Sequence, residues 1–368
     1  MERQVYLHSF KPVLPLYHLP QDELVNWTLE SHKRCSELLG EETLHLEKLQ
    51  KYCLSSEQIG ERFYECDDVN MKWNEHEIYS LSDESPYGAE IFDRNQFFAN
   101  RAQDIFSEIY QTEEKPGHLI HVTCTGYVSP SPAQMYFSHQ DSAPAISHAY
   151  HMGCYASLPS IRLASGIVQG LGEDQVDIVH TEMCSLHMNP SMHNPEQIVV
   201  QTLFADGHIK YSAASSAVGP SFQVLKIKEQ LVPDSGEDMT WVPSAYGMKM
   251  TLSREVPLKI AHVLGKFVKE LCEEAGETIE DVVKNGLFAI HPGGPKIIAG
   301  VQERLGLSHE QVAASLKVLK ERGNMSSATL PHVWNEMMKG ELKNDQLVLS
   351  LAFGPGLTIF GSLFRVKV

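Results

Sequence analysis

Short β-rich runs alternate with amphipathic helical stretches along both halves of this chain, and that rhythm restricts the fold to layered α/β arrangements. Residues 119–124 and 176–180 are compact apolar runs of strand character, as are 287–290, 347–353 and 357–366. Apolar residues recur at helical spacing over 97–109, 161–167 and 256–275. Residues 308–322 add a helix in which Ser308 and Gln311 make an N-terminal capping box. Residues 197–205 and 209–213 read as a further helix and strand. The stretch 21–52 also reads as helical, whereas the acidic stretch 67–85 reads as loop-rich. No linker of low complexity divides the chain. The expectation is two halves, 1–225 and 226–368, fused into one unit.

Size and charge narrow the function classes. With 368 residues, 42% of them hydrophobic, the chain can bury a large core. It has no run of about eighteen apolar residues, so no membrane span is expected. The opening residues lack the basic start and apolar core of a signal peptide, which predicts a cytoplasmic location. Seven cysteines, odd in number and without CxxC spacing, read as reduced thiols rather than a disulfide framework. A net charge of −17 argues against nucleic-acid binding, which needs a basic face.

Three short segments carry the chemistry: Gly153-Cys154-Tyr155-Ala156, His291-Pro292-Gly293-Gly294-Pro295-Lys296 and Gly323-Asn324-Met325-Ser326-Ser327-Ala328. Each presents one polar side chain framed by small or turn-forming residues. A thiol becomes a nucleophile only when a neighbour favours its thiolate. A position between strand and helix would put Cys154 at a helix N-terminus, whose partial positive charge does so. An imidazole can hold the thiolate and later steady an oxyanion. A carboxamide can orient that ring or donate a second hydrogen bond to the same oxygen. Cys154, His291 and Asn324 therefore read as the catalytic set of an acyl-transfer site built on a covalent thioester.

These segments resemble the chalcone and stilbene synthase family, the type III polyketide synthases of the thiolase superfamily. Further matching stretches are Ile161-Arg162-Leu163-Ala164, Gln201-Thr202-Leu203-Phe204-Ala205-Asp206-Gly207 and Phe353-Gly354-Pro355-Gly356-Leu357-Thr358. In order and spacing they cover the chain from about residue 124 onward, and the first hundred residues match only loosely. The resemblance implies an α/β fold of five layers, αβαβα, made from two similar halves, and a homodimer. It implies coenzyme A thioesters as substrates, acyl-CoA and malonyl-CoA, with no cofactor or metal; an acyl carrier protein is the alternative donor. It assigns Cys154 as the acylated nucleophile, and His291 and Asn324 to decarboxylation of the extender and stabilisation of the enolate. Related ketoacyl synthase III enzymes carry His-Gln-Ala-Asn where this chain has His291-Pro292-Gly293-Gly294. That favours the polyketide branch. Single-round condensation and a non-catalytic acyl-thioester-binding protein stand as the other readings.

The same resemblance marks Cys124, Thr125, Ser326 and Pro355 as pocket-lining, and Lys48, Lys51, Arg62, Gly293 and Gly294 as contacts to coenzyme A. Two gatekeeping phenylalanines of the family are expected to be missing, one position falling at His187 or Met188 and the other at Met250. Ser157-Leu158-Pro159 replaces a pair of glycines after the nucleophile segment. His180, Cys184, His187 and His193 could be read as a metal cluster, but zinc ligands come as tight pairs held by turns. Polar or pocket-lining roles are expected for them.

Overall fold

In the computed structural model, which describes residues 3–41 and 44–368, the chain folds into strands and helices in close alternation. β1 (Tyr6–Val13) and β2 (Tyr17–Pro20) lead into α1 (Gln21–Leu38) and α2 (Leu46–Gln50). β3 (Glu61–Tyr64), α3 (Ile91–Tyr110), β4 (His118–Thr123), α4 (Pro132–Ser138) and β5 (Ala145–Tyr150) follow. Next come α5 (Ser157–Gly170), β6 (Gln175–Met183), α6 (Pro195–Leu203), β7 (Asp206–Ala214) and β8 (Ser221–Leu231). The hairpin β9 (Met239–Ser244) and β10 (Gly247–Leu252) precedes α7 (Val256–Glu274), α8 (Ile279–Asn285) and β11 (Leu287–Ile290). The chain closes with α9 (Pro295–Leu305), α10 (His309–Arg322), α11 (Thr329–Met338), β12 (Leu347–Gly354) and β13 (Thr358–Lys367).

Nine strands form one ladder in the order β11-β12-β13-β8-β1-β7-β6-β4-β5. Read outward from the β8–β1 seam, both sides repeat one pattern. β13 lies antiparallel between β8 and β12, as β7 lies antiparallel between β1 and β6. β11 then runs parallel to β12, as β4 runs parallel to β6. The seam itself holds only the pairs Tyr6↔Gln223 and Leu7↔Phe222. Two half-sheets therefore result, and β5 adds a parallel edge strand to the first. The expected boundary at 225/226 falls inside β8, which begins the second half-sheet at Ser221.

Packing makes five layers. α3 and α4 pack on the outside of the first half-sheet and α7 on the outside of the second, against β8 and β13. Between them, α5 touches β4, β6 and β7 of one half and β13 of the other. α11 likewise touches β1 and β7 on one side and β11 on the other. The mixed α/β architecture of five layers thus agrees with the sequence reading. None of the helices among the described residues is long and apolar enough to cross a membrane.

Three expectations shift. The helix foreseen over 21–52 ends at Leu38, because Gly40 adopts a left-handed φ of +64° just past its C-terminus, and it restarts at Leu46. α3 starts at Ile91 rather than near Phe97, its early turns being too polar to show a periodic face. β5, β8 and the β9–β10 hairpin went unread because their burial is partial and their residues mixed.

Trp334 on α11 ties the layers together. It is fully buried, meets Tyr211 of β7 and Phe364 of β13 edge-on, and donates from Nε1 to Ser350 Oγ on β12 at 2.8 Å. Both half-sheets thus share one ring. Trp334→Ala is expected to lower unfolding stability by about 3–5 kcal/mol, measured by urea denaturation; a loss below about 1 kcal/mol would contradict this bridging role.

Candidate active site

Cys154 sits in the turn between β5 and α5. The turn depends on Gly153, whose φ of +80° few other residues adopt, and whose missing Cβ leaves space for Pro355: a Cβ would lie 2.5 Å from Pro355 Cδ. Gly153 N also donates to Cys124 Sγ at 3.0 Å, fastening the turn to the end of β4. Ser157, Leu158 and Pro159, bulkier than the glycines of the family, form the buried first turn of α5. Their bulk is absorbed by the core.

The thiol is almost wholly buried. Burial pushes Cys154 up to about 12, and the nearby Glu182 carboxylate pushes the same way. Hydrogen bonding from Ser326, whose Oγ lies 3.8 Å from Sγ, and from the Asn324 side chain opposes the shift without reversing it. In the resting protein, desolvation outweighs the helix-end effect expected from sequence, and the thiol is protonated.

Asn324 lies in a tight backbone cradle. Its N–H donates to Leu203 O at 3.1 Å and its carbonyl accepts from Ala205 N at 2.8 Å. Its side-chain Oδ1 accepts from Ser326 N at 2.9 Å and Thr329 Oγ1 at 3.2 Å. With the oxygen so committed, the amide orientation is settled and the Nδ2 donors remain for another partner.

His291 terminates β11, where its N–H donates to Leu351 O of β12 at 2.7 Å. Its ring is 1% exposed, and neither ring nitrogen has a hydrogen-bond partner. Burial pulls it down to about 3, so the imidazole is neutral. The ring packs over Gly293, where a Cβ would come within 3.6 Å of Cδ2.

Two junctions gather these segments. Leu203–Ala205 holds the Asn324 backbone, and Leu203 also lies beside Gly294 of the His291 loop. Gly354 and Pro355, at the end of β12, press on Tyr155 and Gly153 either side of the nucleophile. Direct polar contacts of Cys154 reach Ser326 and Asn324 and do not include His291, whose backbone is held by Leu351 of β12.

Glu182 is the group that sequence reasoning missed. It lies one residue before the end of β6 and accepts from Cys124 N at 3.0 Å, Thr125 Oγ1 at 2.8 Å and the Ser327 hydroxyl. Burial raises its pKa while those donors oppose the rise. In a strand that also holds Gln175, Asp177, His180 and Thr181, Glu182 carried no signal of its own.

A small cavity of about 20 Å³ opens at the thiol. Of the expected pocket residues, Cys124, Thr125, Met250, Ser326 and Pro355 line it, together with the unforeseen Cys184, Phe204 and Trp241. His187 and Met188 do not; they border an adjoining cavity that Met250 also lines. His187 is a brace, with Nε2 donating to Thr125 O at 2.8 Å and Nδ1 accepting from Met248 N at 3.1 Å. Phe204 corrects the expectation that both aromatic gates are missing, because one ring borders the nucleophile cavity.

Arg62 is likewise corrected. It is buried, donating from Nε to Gln21 Oε1 at 2.7 Å and from Nη1 to the carbonyls of Gln201 and Phe204. Its guanidinium braces the Phe204 segment and is not presented to a phosphate. Lys48 and Lys51 are exposed, Lys48 on a surface hollow beside Glu37 and Glu41. Gly293 and Gly294 lead into the N-terminus of α9. The four residues read as a metal cluster disperse. His180 pairs with Ser327 Oγ and Tyr211 OH, His193 with His32, and Cys184 borders the nucleophile cavity away from both.

Comparison with known proteins agrees with this geometry. Residues 223–367 match the C-terminal domain of chalcone and stilbene synthases. Type III polyketide synthase C of Arabidopsis thaliana is 29% identical over 265 residues, 67% of each chain. Type III polyketide synthase A of the same plant is 31% identical over 231 residues, 59% of this chain and 56% of that one. PKS-I of the brown alga Ectocarpus siliculosus superposes over 100% of both chains, with a TM-score of 0.85 at 22% identity. The 1,3,6,8-tetrahydroxynaphthalene synthase of Streptomyces coelicolor superposes over 99% of both, with a TM-score of 0.81 at 20% identity. At such identities the superpositions establish the fold. In sequence the chain is similar to the type III polyketide synthases, a class of acyl-condensing transferases, and its residues 223–367 match the C-terminal domain of chalcone and stilbene synthases.

Proposed function

We propose that this protein lengthens an acyl chain by decarboxylative condensation on Cys154. The Cys154 sulfur attacks the carbonyl of an acyl-CoA thioester; a carbon–sulfur bond forms, and coenzyme A leaves with the thiol proton. Malonyl-CoA then loses carbon dioxide, and the electrons of the broken carbon–carbon bond pass to the thioester oxygen as an enolate. Asn324 Nδ2 and a protonated nitrogen of His291 donate to that oxygen. The enolate carbon attacks acyl-Cys154, a carbon–carbon bond forms, and the Cys154 thiolate departs. No step in this sequence needs a metal or redox group.

One observation carries the reading. The Asn324 amide is fixed by its oxygen, so that its donors turn to the buried Cys154 thiol. Donors preset in a site without water stabilise developing oxyanions at little reorganisation cost. Coenzyme A as carrier, with Lys48 and Lys51 meeting its phosphates, and a homodimeric assembly belong to the same proposal. Product mass separates the two outcomes: one added two-carbon unit, or several with ring closure.

Intact-protein mass spectrometry with acyl-CoA should show a covalent adduct that Cys154→Ala abolishes; an undiminished adduct would remove the nucleophile assignment. Asn324→Ala should keep the adduct while slowing condensation with malonyl-CoA about 10²–10³-fold. Equal losses in both steps would mean that Asn324 serves the fold alone. The resting charge state has its own test. Iodoacetamide labelling of the Cys154 peptide should climb about tenfold per pH unit between pH 7 and 9, because only the thiolate reacts and burial holds the pKa above that range. Ser326→Ala removes a hydrogen bond that favours the thiolate, so labelling should slow further. A flat pH profile would instead indicate a thiolate already formed at neutrality.

A further inference from the structure

Two imidazoles outside the thiol chamber face each other. His32, on α1, is fully buried, and His193 comes from the segment that leads into α6. Their Nδ1 atoms are 3.0 Å apart. The ring centroids are 5.1 Å apart, little less than that separation plus two ring radii, so the nitrogens meet nearly head-on. Both rings are anchored to α6. His32 Nε2 lies 2.7 Å from Gln201 Oε1. His193 directly precedes Asn194, whose side chain caps α6 by accepting from Gln197 N at 3.0 Å.

The outer nitrogens dictate what the inner ones are. Gln201 Nε2 donates to Asn189 O at 3.0 Å, which turns Oε1 toward His32 and makes His32 Nε2 the donor. Burial pulls His32 down to about 4, so its ring is neutral and Nδ1 keeps a lone pair. On the other ring, the Glu41 carboxylate lies 3.4 Å from Nε2, an ion contact and not an aligned hydrogen bond, and no other partner reaches that nitrogen. A carboxylate can only accept, so it favours a proton on Nε2 and leaves His193 Nδ1 with a second lone pair. Two lone pairs at 3.0 Å repel unless a cation lies between them. The outer oxygens also supply what metal-bound imidazoles use, since a carbonyl or carboxylate on the second nitrogen fixes the tautomer and raises ligand basicity.

Distance and access agree with a metal ion. Two zinc–nitrogen bonds of about 2.0–2.1 Å at the tetrahedral angle set nitrogens about 3.3–3.4 Å apart, a few tenths of an ångström beyond the spacing here. The His193 side chain is 21% exposed and Glu41 lines a surface hollow of about 410 Å³, so an ion can reach the gap from solvent. Among the described residues no three His, Cys, Asp or Glu side chains converge on one point, so two imidazoles are the side-chain ligands. The Pro190 carbonyl, within reach of the His32 ring, and water can complete the shell. We propose that His32 and His193 hold one zinc(II) ion through their Nδ1 atoms, clamping α1 to the start of α6. The clamp is mechanical: α6 ends at Leu203, whose carbonyl accepts from Asn324 N.

Calorimetric titration of chelator-stripped protein with zinc chloride should find one site that His193→Ala lacks. Glu41→Gln keeps the shape and removes the charge behind His193, and should weaken that site about 10–100-fold. Glu41 is exposed, so this variant serves if His193→Ala does not fold. Zinc should also raise the melting temperature of the unsubstituted protein and leave that of His193→Ala unmoved, because only a ligand that binds the folded state stabilises it. Equal zinc binding by the unsubstituted protein and both variants overturns the assignment. So does the absence of any site, which would mean that a proton alone bridges the two rings.

Discussion

Exclusion of water governs every ionisable group near the thiol. Cys154, Cys124, Glu182 and His291 all shift toward their uncharged forms, and burial is the largest cause for each. A charge in such surroundings is costly unless hydrogen bonds compensate it. Glu182 has gathered donors from Cys124, Thr125 and Ser327, whereas His291 has none. The resting chamber is therefore close to electrically neutral at its working groups. Any negative charge generated there would meet donors at Asn324 that need no rearrangement to receive it. The same dryness that makes the thiol a poor nucleophile at rest strengthens stabilisation of an oxyanion later.

The architecture explains how distant segments share this chamber. Each half-sheet ends its parallel strands toward the middle of the molecule, β4 and β6 from one half, β11 and β12 from the other. Cys124, Glu182, His291 and Gly354 follow from or close those four ends. Cys154 comes from the loop after β5, and Asn324 from the turn between α10 and α11. Trp334 and α5 keep the half-sheets at a fixed separation from within. The site is thus a property of the interface between the halves.

Sequence patterns made the layered fold legible and singled out the three residues on which the proposed function rests, because both draw on local signals. Alternating strand and helix runs are visible in residue spacing, and a Gly-Cys or Gly-Asn turn announces a special backbone. β5 and β8 were hidden by mixed burial, which blurs the alternation that marks a strand. Glu182 was hidden because nothing in a single chain tells that an acid at a strand end faces a thiol. Arg62 misled for a related reason: a basic residue near lysines reads as a surface patch, while its actual partners, Gln21, Gln201 and Phe204, are brought to it only by folding. Phe204 stood in a stretch already quoted, yet its place between two cavities depends on side chains from the hairpin. Whatever depends on long-range packing stayed out of reach.

The Gly153–Pro355 contact has one more consequence. The backbone of the first half adopts its left-handed step directly against a proline ring of the second, with no space for even one methyl group between them. Neither half on its own contains both sides of that contact. The nucleophile turn therefore takes its shape only when the second half is folded against it.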